Sequence, residues 1–207
     1  MHPNPAFRNE TRDRDIAFAR ARGFGALAVN ADPAPLLSHV PFVLDDGAEM
    51  VDFHLVRSNP ILRLLDEPRA AVIAVQGPDS YVSPDWYGIE DQVPTWNYVA
   101  VHLRGRIERL PDEVLLPMLD HLSEVFEDLL LPKTPWKTGK MTPDVLDRML
   151  RMIAPCRMTI ETVDGTWKLS QNKTDAVRMA AAERLERDGL GQEIAALAEL
   201  MRGVTPS

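Results

Sequence analysis

The sequence predicts a mainly β fold with peripheral helices, an α+β chain whose strands close or nearly close a small barrel, and three observations carry that prediction. About seven segments have strand character and follow one another as antiparallel neighbours do, with helical stretches at the margins. Residues 50–56 alternate strictly, Val51, Phe53 and Leu55 against Asp52 and His54, which describes a sheet with one apolar and one polar face. Residues 156–163 and 166–170 are both strand-like and flank Asp164-Gly165, a dipeptide that favours a tight hairpin turn.

Residues 11–22 make a short charged helix with Thr11 as N-cap and Ile16 and Ala19 facing inward, ended by Gly23 and Gly25. Strands are expected at 26–30 and, after the turn Asp32-Pro-Ala-Pro35, at 36–44, bent or broken at Pro41 and closed by Asp45-Asp-Gly47. Beyond the alternating strand, Asn59 caps and Pro60 opens about two helical turns over 61–65. Residues 70–76 are nearly all apolar and form a central strand, whereas 77–94, with three prolines and two glycines, reads as a long irregular loop of the kind that carries function. A long strand at 97–108 precedes a helix over 111–130, kinked or truly begun near Pro117, and another opened by Thr142-Pro143-Asp144 and running to 153. The tail, 174–201, is an alanine- and arginine-rich helix pair broken at Gly189 and Gly191. No internal repeat or low-complexity linker appears, so the economical division is one domain over 1–172, with helices 111–153 inserted, and a helical appendage at 173–207.

With 207 residues, 45% of them apolar, the chain can bury a sizeable core. Its net charge of −8 repels phosphate backbones and anionic membranes, so any contact with DNA needs a local basic patch. The tail arginines do not supply one, because Glu183, Glu186, Asp188, Glu193 and Glu199 offset them. A single cysteine, Cys156, excludes an intrachain disulfide and reads as a buried thiol. The charged start of the chain lacks the apolar segment of a signal peptide or anchor, which places the protein in the cytoplasm with no membrane partner. No dinucleotide fingerprint, P-loop, nucleophile elbow or His-Glu-x-x-His pair is present, and the scattered histidines predict no metal site.

Polar and aromatic residues concentrate in three islands: Tyr81-Val-Ser-Pro-Asp-Trp-Tyr87, Val93-Pro-Thr-Trp-Asn-Tyr98 and Trp167-Lys-Leu-Ser-Gln-Asn-Lys173. Each sets a large flat side chain beside short hydroxyl or amide groups, the mixture that sandwiches a planar polar ligand. The same aromatics would also serve to plug a barrel end or fill a dimer interface. Arg57-Ser58-Asn59 joins a strand to a helix start and offers either an anion cradle or simply a cap beside a solvated charge. Ser38-His39 is either a polar-face pair or a ligand contact.

These islands, with Ser38-His39-Val-Pro41 and His54-Leu-Val-Arg-Ser-Asn-Pro60, resemble the PaiB family of FMN-binding negative transcriptional regulators over nearly the whole chain. The resemblance implies an FMN-binding split β-barrel in which two subunits form the flavin sites. By that analogy Arg57, Ser58 and Asn59 hold the FMN phosphate, and Ser38, His39 and the His54 of the shared motif belong to the flavin site. Thr95, Trp96 and Asn97, with Trp167, Lys168, Ser170 and Gln171, close the pocket, some from the partner chain, and Lys168 faces negative charge on reduced flavin. It names no catalytic acid or base. The expectation is therefore a cytoplasmic FMN-binding homodimer acting in negative regulation of transcription, with an FMN-dependent oxidoreductase or a haem-binding member of the same fold as alternatives.

Overall fold

Helix α1, Arg12–Arg22, begins where Thr11 Oγ1 accepts the Arg14 amide at 3.2 Å. Its acids lie in the first turn and Arg20 and Arg22 in the last, complementing the helix dipole, and Gly23 at φ +56° ends it. The computed structural model describes residues 2–204. The remaining elements are β1 (Phe24–Val29), β2 (Leu36–Pro41), β3 (Val43–Leu44), β4 (Met50–Val56), β5 (Arg69–Val82), β6 (Thr95–Arg109), α2 (Leu115–Asp128), α3 (Pro143–Leu150), β7 (Ile153–Lys168), α4 (Asp175–Asp188), β8 (Leu190–Gln192) and α5 (Ile194–Arg202). The strands make one sheet in the order β2-β1-β5-β6-β7-β4-β3, with β8 on β5. Pairings of β1 with β2 and β5, of β4 with β3 and β7, and of β5 with β8 are antiparallel.

The chain divides into two compact units whose boundaries cut α1, β5, β6 and β7. The first takes the residues up to Asp15, Val75–His102 and everything from Asp164 on; the second takes Ile16–Ala74 and Leu103–Val163. In the second, Leu27, Phe42, Val51, Phe53, Ile73, Leu103, Ile107 and Met158 are fully buried. Burying each such side chain stabilises by about 1.5–3 kcal/mol before chain entropy is counted. Cys156 lies in this core, where burial pushes its thiol up to about 12, so it packs and does not react. In the first unit Val99, Val101, Leu169, Ala181, Leu185, Leu197 and Met201 form the core, and Arg178 is buried there with its guanidinium on the carbonyls of Met201 and Val204.

The strand expected over 36–44 breaks just after Pro41, where Phe42 separates β2 from β3, and the Asn59 side chain caps a 3-10 turn over Pro60–Leu64, both as the sequence predicts. Three expectations are corrected. The hairpin at Asp164-Gly165 does not exist, because β7 runs unbroken from Ile153 to Lys168. A Cβ on Gly165 would lie 2.0 Å from Asp15 Oδ1, so this glycine admits a neighbour and does not turn the chain. Likewise β5 continues through Gly77-Pro78 to Val82, where Asp79, Ser80 and Tyr81 pair with β8, so the irregular loop shrinks to 83–94. Finally, the helix expected from 142 to 153 stops at Leu150, because Ile153 opens β7.

Candidate functional site

The site residues expected from sequence fall into two groups, one in each unit. In the second unit, Asn59 accepts the Ile61 amide at 3.0 Å through Oδ1 and donates from Nδ2 to Ser38 Oγ at 3.1 Å, tying the end of β4 to β2. Arg57 donates from Nε to the Arg151 carbonyl at 3.0 Å and from Nη2 to Asp112 at 2.6 Å, leaving Nη1 uncommitted among the described residues. Hydrogen bonds from Arg57 and Arg109 hold the Asp112 carboxyl below its usual range. Ser58 and His39 are exposed, the latter stacked beside Phe24 with centroids 6.2 Å apart. His54 lines a cavity of about 290 Å³ with Pro41, Leu119, Leu122, Phe126 and Trp136, and with Ser123 and Glu127. Burial pushes its pKa below the usual 6.5, and Nδ1 is buried with no hydrogen-bond partner among the described residues.

In the first unit, strand alternation sends Thr95 and Asn97 to one face of β6 and Trp96, half exposed and edge-on to Tyr81, to the other. Beyond β7, Gln171 secures the chain by accepting the Leu169 amide at 2.8 Å and donating to the Trp167 carbonyl at 2.5 Å. Ser170 is buried at φ +61°, a left-handed conformation that strains a side-chain-bearing residue by about 1 kcal/mol or more. Its Oγ accepts Asn97 Nδ2 at 2.9 Å and lies 3.0 Å from the Tyr87 hydroxyl. Asn97 gives its other amide proton to Met201 Sδ at 3.4 Å, yet its Oδ1, fully buried, has no partner among the described residues. Lys168 donates to Thr95 Oγ1 and Lys173 to Gln92 Oε1, and burial pushes the Lys168 ammonium below its usual pKa. Asn97, Ser170, Lys168 and Lys173 bound a cavity of about 330 Å³, completed by Tyr87 and by His2, Asn4 and Phe7. Trp167 is buried elsewhere in this unit, donating from Nε1 to Asp15 at 2.7 Å beneath the Arg14 guanidinium, 4.2 Å above the ring.

Sequence reasoning did not select Lys173, although it stands in the third island, nor His2, Phe7 and Trp136, which no motif marks. A larger half-open cavity of about 570 Å³ lies against α2 and residues 135–139, but it holds none of the expected site residues. Asp120 there already accepts the Thr138 hydroxyl at 2.7 Å. Among the described residues, no three His, Cys, Asp or Glu side chains gather as metal ligands, and no helix is long and apolar enough to cross a membrane.

The fold is of the flavin-binding split-barrel class. It is similar to the FAD and haem binding protein of Mycobacterium smegmatis, with a TM-score of 0.57 at 18% identity over 78% of this chain and 73% of that one. It is also similar to the flavocytochrome Anf3 of Azotobacter vinelandii, with a TM-score of 0.56 at 13% identity over 81% and 72%. The chain belongs to the family described as "Putative FMN-binding domain", whose model matches residues 1–162, and FMN is the cofactor of that family. A relative of the PaiB kind, the Bacillus subtilis "Protease synthase and sporulation protein PAI 2", is 29% identical over 173 residues, 83% of this chain and 82% of its own.

The residues present fit such a cofactor. His54 lines a cavity with Phe126 and Trp136, its buried Nδ1 has no partner among the described residues, and an imidazole there would offer a hydrogen bond to the rim of a flat ring. Arg57 Nη1 and the Ser58 hydroxyl are donors suited to a phosphate. Bound FMN supplies reversible uptake of electrons or hydride.

Proposed function

We propose that this protein is a homodimer that binds FMN through Ser38, His39, His54, Arg57, Ser58 and Asn59 and acts as a flavin-responsive negative regulator of transcription. The observation that carries the flavin reading is His54, which lines a cavity with Phe126, Trp136, Ser123, Glu127 and aliphatic side chains and whose buried Nδ1 has no partner among the described residues. Support for a dimer comes from Phe24 and Leu37, 53% and 66% exposed on the paired strands β1 and β2, apolar groups that a second copy would cover. Support for regulation is kinship with the PAI 2 protein. The test is titration of purified protein with FMN. Quenched flavin fluorescence that weakens in His54→Leu and Arg57→Gln supports the reading; no quenching, or a haem absorption band in its place, overturns it. Sedimentation reads the oligomeric state. DNA binding measured across a salt series tests direct regulation, since electrostatic affinity falls steeply with ionic strength.

The second reading is an FMN-dependent oxidoreductase, favoured by the separate cavity at Lys168, which is sized for a small reactant. Turnover of a reduced nicotinamide cofactor that drops in Lys168→Gln would support it.

A further inference from the structure

We propose that the cavity bounded by Asn97, Lys168, Ser170 and Lys173 is a binding site in its own right, for a compact carboxylic acid that carries an N–H or O–H donor beside its carboxylate. The charge of the ligand follows from the two amines. Lys168 and Lys173 make hydrogen bonds only to neutral oxygens, those of Thr95 and Gln92, and neither meets a carboxylate among the described residues. This is in a chain with eight more acids than bases. Of the residues bounding the cavity only Asp91 is acidic, and it is exposed. Two cations at one concavity that a single exposed carboxylate offsets only in part attract an oxyanion.

The donor follows from Asn97. Its amide protons are spent on Ser170 and Met201, which fixes the amide so that Oδ1, buried in a residue that lines the cavity, is left without a donor among the described residues. A buried acceptor without a donor is costly, and a ligand that brings one recovers that loss. The strained backbone of Ser170, a non-glycine residue at φ +61°, holds this arrangement in place. Size sets the remaining limit. At roughly 30 Å³ per water-sized group, about 330 Å³ accommodates on the order of ten non-hydrogen atoms, the size of a small acid.

The test is calorimetric titration of FMN-loaded protein, at low ionic strength and neutral pH, with malate, succinate and inorganic phosphate. Malate should bind about five- to a hundredfold more tightly than succinate, which lacks the hydroxyl, and more tightly than phosphate. Lys168→Gln and Lys173→Gln should each weaken malate about tenfold with melting temperatures near that of the parent. Asn97→Leu should abolish the preference for malate while retaining succinate binding; should that variant fail to fold, the parent's malate-to-succinate ratio decides the same point. Absence of heat with both acids, equal affinity for them, tightest binding of phosphate, or lysine variants that bind as the parent does would each overturn the proposal. Malate binding seen only in FMN-free protein would also overturn it, by making the cavity part of the flavin site. Malate binding by a protein that takes up no FMN would sustain it and defeat the flavin reading.

Discussion

The His54 cavity is walled by Leu119, Leu122, Phe126 and Trp136, whereas the Asn97 cavity is bounded by two lysines, a serine and a tyrosine hydroxyl. A residue lining each has one buried polar atom without a partner among the described residues, at a cost of about 1–3 kcal/mol. In the first, the imidazole shares a mostly apolar wall with Ser123 and Glu127, so shape selects a flat ligand. In the second, ammonium groups set the sign of the ligand and Asn97 sets its polarity. Orphaned atoms of the same kind thus have different uses, because their surroundings differ in charge and polarity.

The largest effects should come from the scaffold that holds each region. A Cβ on Gly105 in β6 would lie 1.8 Å from the Thr159 backbone carbonyl oxygen, which cannot move without breaking the sheet. Gly105→Ala should therefore cost about 3 kcal/mol or more, read by chemical denaturation. Gly165→Ala meets the side chain of Asp15, which can turn aside, so a loss of about 1–2 kcal/mol is expected there. Equal losses would show both contacts to be equally rigid. Next is Ser170→Ala, which removes the partner of Asn97 Nδ2 and of the Tyr87 hydroxyl and should cost about 2 kcal/mol.

Titration separates the regions in sign. Burial keeps His54 below its usual pKa of 6.5, so the folded state binds fewer protons than the unfolded chain as pH falls through 6.5. Stability should decline over that interval and decline less in His54→Leu. Asp15 is shifted upward, chiefly by burial, so its contribution should grow as pH falls through its folded-state pKa toward 3.8, and Asp15→Asn should remove it. Melting temperatures across pH 3–7 would check both. The smallest effect is expected from Asp112→Ala, which breaks exposed ion pairs at a cost below about 1 kcal/mol but frees Arg57. Tighter FMN binding in that variant would mark Asp112 as a competitor of the phosphate, and unchanged binding would separate Arg57 from the flavin.

Much of the scaffold is legible in the chain itself. Val51, Phe53 and Leu55 are buried on one face of β4 because strand side chains alternate, and Thr11 and Asn59 cap where short polar side chains precede helical turns. The islands mark Trp96, Asn97, Lys168 and Ser170 because their residue types are unusual together, and the same motifs lead to the FMN-binding family. Glycine is where local reading fails. Asp164-Gly165 carries the composition of a turn, yet a glycine answers equally to a turn and to a close neighbour, and only the fold brings Asp15 against it. The same holds for Gly77-Pro78, which stays in β5, the strand that takes β8 as a partner.

Local sequence thus determined periodicity, caps, charge and family, all of which depend on residues near one another or on composition. Tertiary structure alone decided that, among the described residues, Asn97 Oδ1 and His54 Nδ1 lack partners and Lys168 and Lys173 meet no carboxylate. Whether a polar atom is satisfied depends on every group that folding brings within hydrogen-bond distance, and those groups come from segments far apart in the chain.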